Sequence, residues 1–196
     1  MIHTSIPYIM HHNANAMSYW NRLEKQIAII VTRPQKHNLT FDILDTEKSK
    51  LNQQIALTET QRRMKNGEIW QEVLGSYDGF TNLKTGHETG LDIISHTRKV
   101  AIELKNRSNT DNASSKKSNL DKLAKFKKEH PDYIVIYANI NDESEKKTLQ
   151  GYKKIIYHDG VEIEHRVGYD FLTYILGNDT DEIINFVKHV IDKYAL

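Results

Sequence analysis

Trp20, Leu23, Ile27 and Ile30 recur at steps of three and four residues, the spacing of one buried helix face. A helix is therefore expected over Tyr19–Val31, stopped by Arg33-Pro34. Phe41–Leu44 is short and ambiguous. Leu51, Ile55, Leu57 and Met64, set among polar residues, predict a second helix over Glu47–Met64. Asn66-Gly67 is expected to interrupt it, and Glu68–Gly75 to add a further turn or two that Gly75 closes.

The pattern then changes period. Leu91-Asp92-Ile93-Ile94 is a short β-rich run, and Lys99 to Lys105 alternates, with Val100, Ile102 and Leu104 facing one way and Ala101, Glu103 and Lys105 the other. The polar Ser95-His96-Thr97-Arg98 between them suits a hairpin connection. A helix is expected to start at Ser118-Asn119-Leu120-Asp121, bury Leu120, Leu123 and Phe126, and stop at Pro131. The nearly continuous apolar run Asp132–Ala138 reads as a central strand covered on both faces. Ile155–Tyr157 and Val161–Ile163 flank a His158-Asp159-Gly160 turn, and Asp170–Leu176 and Asp181–Tyr194 read as terminal helices. The order strand, strand, helix, strand predicts an α/β fold with a mixed β-sheet flanked by helices. Neither an internal repeat nor a long linker divides the chain. A single domain over 1–196 is expected, with residues 1–18 as an N-terminal arm whose His11-His12 pair reads most simply as surface.

Candidate chemistry sits on the two adjoining strands. Asp92, Glu103 and Lys105 combine two carboxylates with an ammonium, the set a metal-dependent phosphodiesterase needs. A two-residue hairpin loop puts Asp92 opposite Ala101, and a four-residue loop puts it opposite Glu103. Both give Cβ separations of about 5 to 8 Å on one face. A three-residue loop without a bulge turns Asp92 to the other face. Glu-x-Lys alone is equally compatible with a solvated ion pair worth under about 1 kcal/mol, and 27% of the residues are charged.

Composition narrows the classes. The absence of cysteine removes disulfide frameworks, thiolate metal sites and cysteine nucleophiles. With no apolar run near the roughly 20 residues of a membrane span, and no signal-peptide pattern at the start, a cytoplasmic protein is expected. The net charge of +1 hides a local excess: Lys105, Arg107, Lys116, Lys117, Lys122, Lys125, Lys127 and Lys128 face only Asp111 and Asp121. Such a run next to two carboxylates suits a polyanionic substrate.

The segment after Lys105 reads Asn106-Arg107-Ser108-Asn109-Thr110-Asp111-Asn112, then Ala113-Ser114-Ser115-Lys116-Lys117. Strand Glu-x-Lys followed by this Asn-rich run resembles the PD-(D/E)xK nuclease superfamily, specifically a family of type II restriction endonucleases. The likeness spans about residues 68–141, the expected catalytic core, with a weaker echo in Gly168–Leu172. One departure is that Asp92 follows Leu91 where a Pro-Asp pair is common.

The resemblance implies a restriction-endonuclease-like core and Mg²⁺-dependent, sequence-specific hydrolysis of double-stranded DNA, leaving 5′-phosphate ends. It implies Asp92, Glu103 and the Leu104 main-chain carbonyl as Mg²⁺ ligands, Lys105 as the catalytic lysine, and Glu72 as a candidate accessory acid. Asn106, Arg107, Asn109, Thr110, Asn112, Lys116 and Lys117 are the candidate DNA contacts, although Asn, Ser and Thr also accumulate in ordinary turns. It further implies a homodimer and a companion methyltransferase acting on the same site. A structure-specific repair or junction-resolving nuclease, and a non-catalytic DNA-binding protein retaining the fold, are the alternatives.

Overall fold

The computed structural model describes residues 14–34, 47–84, 86–108 and 112–194. In chain order the elements are α1 (Ala14–Thr32), α2 (Glu47–Gly75), β1 (Thr81–Asn82), β2 (Ile93–Ser95), β3 (Val100–Arg107) and α3 (Ala113–Glu129). There follow β4 (Ile134–Asn141), α4 (Glu145–Gln150), β5 (Tyr152–His158), β6 (Val161–Val167), α5 (Gly168–Leu176) and α6 (Thr180–Tyr194). The strands form one sheet in the order β1-β2-β3-β4-β6-β5. β3, β4 and β6 run parallel, and β1, β2 and β5 join antiparallel. This is the expected mixed sheet flanked by helices.

Alternation along the strands divides the core in two. Ile93, Val100, Ile102, Leu104, Ile136, Ala138 and Ile140 face one way and pack on α1, α2, α5 and α6 through residues such as Ile27, Val73, Phe171 and Val187. Ile94, Ala101, Val135, Tyr137 and Ile163 face the other way, onto Leu120, Leu123, Ala124 and Phe126 of α3. Each fully buried Leu or Ile contributes about 1.5 to 3 kcal/mol relative to exposure. Because β4 is covered on both sides, Val135–Ile140 is buried without a break, as its apolar run predicts.

The β2–β3 pairing decides the site. Ile93 pairs with Ile102, Ile94 with Ala101 and Ser95 with Val100, so the connection is His96-Thr97-Arg98-Lys99. Lys99 closes it in the left-handed region, at φ 52. Extending this register places Asp92 beside Glu103, the outcome of a four-residue loop.

β5 and β6 extend the expected hairpin to Tyr152 and Val167, and three helices differ more from expectation. α1 begins at Ala14, inside the segment expected as an arm; residues 1–13 and Phe41–Leu44 lie outside the described residues. α2 runs through Asn66-Gly67 without interruption. A mid-helix glycine costs only about 1 kcal/mol relative to alanine, and burial of Ile69, Val73 and Leu74 beyond it outweighs that. A Cβ on Gly67 would stand 3.7 Å from the Asn106 Cβ, so the glycine marks a close approach to β3. α3 starts at Ala113, ahead of its apolar stripe, because Asn112 caps it: its Oδ1 accepts from the Ser115 N–H at 2.8 Å. Its first turns are exposed and need no apolar pattern. β1 and α4, of two and six residues, are too short to carry a readable period.

Candidate active site

β2 accompanies β3 only as far as Ile102. Past that point the β2-facing edge of β3 is open, and a side chain takes over where the ladder stops. The Asp92 N–H still donates to the Ile102 carbonyl at 3.1 Å, and the Asp92 Oδ2 accepts the Leu104 N–H at 2.8 Å. The other oxygen, Oδ1, accepts from the Gln71 Nε2 at 3.0 Å. Asp92 is thus clamped between a strand edge and α2. A strand residue's N–H and C=O point to the same side, which turns the Leu104 carbonyl toward the edge that Asp92 occupies.

Glu103 is 2% exposed. Its Oε1 accepts from the Lys105 Nζ at 2.7 Å, while its Oε2 is buried with no hydrogen-bond partner. Burial raises the pKa of both carboxyls, and the Asp92 charge raises that of Glu103 further. The Leu104 N–H, Lys105 and Lys122 pull Asp92 back, and Lys105 and Lys122 do the same for Glu103. Two neighbouring, desolvated carboxylates with a bare oxygen could hold a cation.

A family model described as Eco47II restriction endonuclease matches residues 22–194, from within α1 to the end of α6. The chain belongs to the Eco47II restriction endonuclease family. No curated protein and no solved structure matches it. Family membership makes the chain a restriction endonuclease, and with it a nuclease that acts on DNA. The six-stranded mixed sheet between helices agrees with that fold.

Asp92, Glu103 and Lys105 come together in this Eco47II-family chain, whereas the other expected residues scatter. Glu72 lies one position from Gln71 on α2, but its carboxylate accepts from the Asn82 Nδ2 at 3.2 Å and pairs with Lys84. The Asn106 amide donates to the Arg63 carbonyl at 3.0 Å, and its oxygens accept from the Asn141 Nδ2, tying β3 to α2 and β4. Asn109 and Thr110 lie outside the described residues. Asn112 is the α3 cap, Arg107 ends β3 half-buried, and Lys116 and Lys117 are exposed on the first turns of α3.

Structure also trims the basic run. Lys125 pairs with Glu129 and Lys128 with Asp159, while the Lys127 Nζ donates to the carbonyls of Pro131 and Tyr133. What remains beside the carboxylates is the α3 segment from Lys116 to Lys122. The stem of Lys122 lies 3.3 Å from where a Cβ on Gly90 would stand, two residues before Asp92.

Gln71 and Lys122 were not legible as site residues. Gln71 carries no charge or motif, and only the helix rotation separates it from Glu72. Lys122 is one of several lysines on α3, and only the fold brings its stem beside Gly90 and its charge within reach of Asp92 and Glu103.

Among the described residues no cluster of three or more His, Cys, Asp or Glu exists. Nor is any described helix long and apolar enough to cross a membrane.

Proposed function

We propose that the chain is a type II restriction endonuclease that hydrolyses double-stranded DNA at a specific site with Mg²⁺. The observation that carries this is the pairing of Asp92 with Glu103 at an open strand edge, one carboxylate oxygen of Glu103 being buried and unpartnered. The donor set fits the ion. Asp92, Glu103 and the Leu104 carbonyl would hold it, all hard oxygen donors of the kind Mg²⁺ prefers. The like-charge strain that raises the Glu103 pKa is the strain a divalent cation relieves. When bound, Mg²⁺ supplies a Lewis acid for the phosphate and makes a nearby water easier to deprotonate.

The chain's own residues do the rest. Gln71 and the Leu104 N–H hold Asp92 in one orientation, so little reorganisation is needed when substrate arrives. The Lys105 ammonium, held over Glu103, orients the attacking water and offsets the negative charge that grows on the phosphate. Water oxygen bonds to phosphorus, the bond to the 3′ oxygen breaks, and that oxygen leaves with a proton. The products are a 5′-phosphate and a 3′-hydroxyl. Cutting both strands of a symmetric site calls for two such centres, hence a homodimer on the DNA dyad. A methyltransferase recognising the same site would protect host DNA.

Sequencing the ends of a digested plasmid tests the specificity. Discrete fragments sharing one short sequence at every end are expected. Ends scattered over unrelated sequences, or clustered at junctions and flaps, would assign the chain to a structure-directed nuclease instead.

A further inference from the structure

The sheet carries the line of the active site onward. On the face covered by α3, Glu103 pairs with Tyr137, Tyr137 with His165, and His165 with Lys154, one row across β3, β4, β6 and β5. Lys105 pairs with Asn139 in the adjoining row. At a strand spacing of about 4.8 Å, the row extends roughly 14 Å from Glu103 to Lys154.

This row and the one after it carry polar side chains, whereas Ala101, Val135 and Ile163, one step back on the same face, are apolar. Buried Asn139 and His165 share a hydrogen bond, 2.7 Å from the His165 Nε2 to the Asn139 Oδ1. The other polar atom of each, Asn139 Nδ2 and His165 Nδ1, has no partner. Two ammonium groups lie near this pair. Lys116, on the first turns of α3, sits 6.0 Å from the Tyr137 ring, and Lys154 sits 5.9 Å from the Tyr152 ring. Burial, helped by the Lys154 and Lys116 charges, depresses the His165 pKa to about 4, so the imidazole is neutral at working pH. Among the described residues the Asp142 carboxylate acts on His165 in the opposite sense, and Asp142 accepts from the Tyr152 hydroxyl at 3.0 Å. Beyond Lys154 the surface opens into a depression of about 430 Å³ that Lys147 and Gly151 also line.

We propose that the DNA strand being cut leaves the carboxylates in the direction this row runs, over the surface outside its buried side chains, with the exposed Lys116 and Lys154 holding backbone phosphates beyond the scissile one. The inference rests on the nuclease reading above and adds the direction in which the strand leaves the carboxylates. DNA rises about 3.4 Å per nucleotide along one strand, so the row matches a stretch of roughly four nucleotides. The hydrogen bond from a neutral His165 fixes the Asn139 side chain without adding a third positive charge between the two lysines.

The test is a double-mutant cycle between protein and DNA charge. The probes are duplexes carrying the mapped cleavage site, each with one neutral methylphosphonate at a successive position on either side. They are titrated without Mg²⁺ against wild type, Lys154→Gln and Lys154→Arg. For wild type, neutralising one phosphate within about four nucleotides of the cut, on one side only, weakens binding severalfold. Lys154→Gln weakens binding to the unmodified duplex by the same factor and loses nothing further at that position. Its slope of log affinity against log salt falls by about 0.9, and Lys154→Arg restores it. Additive losses at every position, or an unchanged slope, overturn the path. A thermal shift with inorganic phosphate that Lys154→Gln removes, without that coupling, makes this a free-anion site and likewise overturns it. Failure of wild type to cleave any duplex in Mg²⁺ overturns the nuclease reading as well, whereas cleavage without the coupling overturns the path alone.

Discussion

Replacing Glu103 with Gln is expected to abolish cleavage while raising the melting temperature of the metal-free protein. Both effects come from one carboxylate. Burial in the protein interior and the neighbouring Asp92 charge together outweigh Lys105 and Lys122 and hold its pKa above the ordinary carboxylate range. The folded state therefore holds this proton more tightly than the unfolded chain does. Stability from this group falls as pH rises from the ordinary range through the raised folded value, and above that the penalty is fully present. Glutamine keeps the shape and an acceptor for Lys105 but carries no charge, so the penalty disappears. The loss of the anion also removes a cation ligand. Wild type should gain thermal stability on adding Mg²⁺, and Glu103→Gln should gain much less. Asp92→Ala should likewise end cleavage, and both variants should still bind DNA. Calorimetry with and without Mg²⁺, beside a plasmid assay, reads both effects. A Glu103→Gln protein that cuts at near wild-type rate removes Glu103 from the mechanism. One that is inactive and less stable without metal shows that the Lys105 pair dominates the carboxylate repulsion.

The second large effect lies in the scaffold. Gly168 opens α5 at φ +61, and a Cβ there would overlap the Thr148 carbonyl oxygen of α4. Gly151 repeats the arrangement from the other side, at φ +67, with its missing Cβ directed at the Asp170 backbone nitrogen. The two glycines let the end of α4 lie directly on the start of α5. Gly168→Ala adds the left-handed cost of about 1 to 2 kcal/mol to an overlap with backbone that cannot rotate away. Set against a total stability of about 5 to 15 kcal/mol, the variant should unfold at much lower urea or fail to fold. Gly160→Ala is the control: its φ is +78, but nothing lies within 4 Å of the added Cβ. It should show the left-handed cost alone. Equal urea midpoints for the two variants would mean that the α4–α5 contact yields easily.

The hairpin geometry was legible because parity fixes it. Once Asp92 and Glu103 stand on strands joined by an even loop, the period of two decides which side chains meet. The buried β4 was equally plain from its apolar run. Polar helix starts were not: Ala113–Ser118 has no stripe, and Asn112 reads the same in a turn as in a cap. Gln71 escaped because a helix period does not say which of two adjacent polar residues faces a strand edge. The row through Tyr137, His165 and Lys154 depends on β6 sitting beside β4, a crossover that no local pattern encodes.

Supercoiled plasmid incubated with the protein in Mg²⁺ or in EDTA tests the central claim, that Asp92 and Glu103 hold a cation that cuts DNA. Complete conversion to linear fragments in Mg²⁺, and intact plasmid in EDTA with activity restored by excess Mg²⁺, is the expected result. Undiminished cleavage in EDTA, or none with any divalent cation, would contradict it.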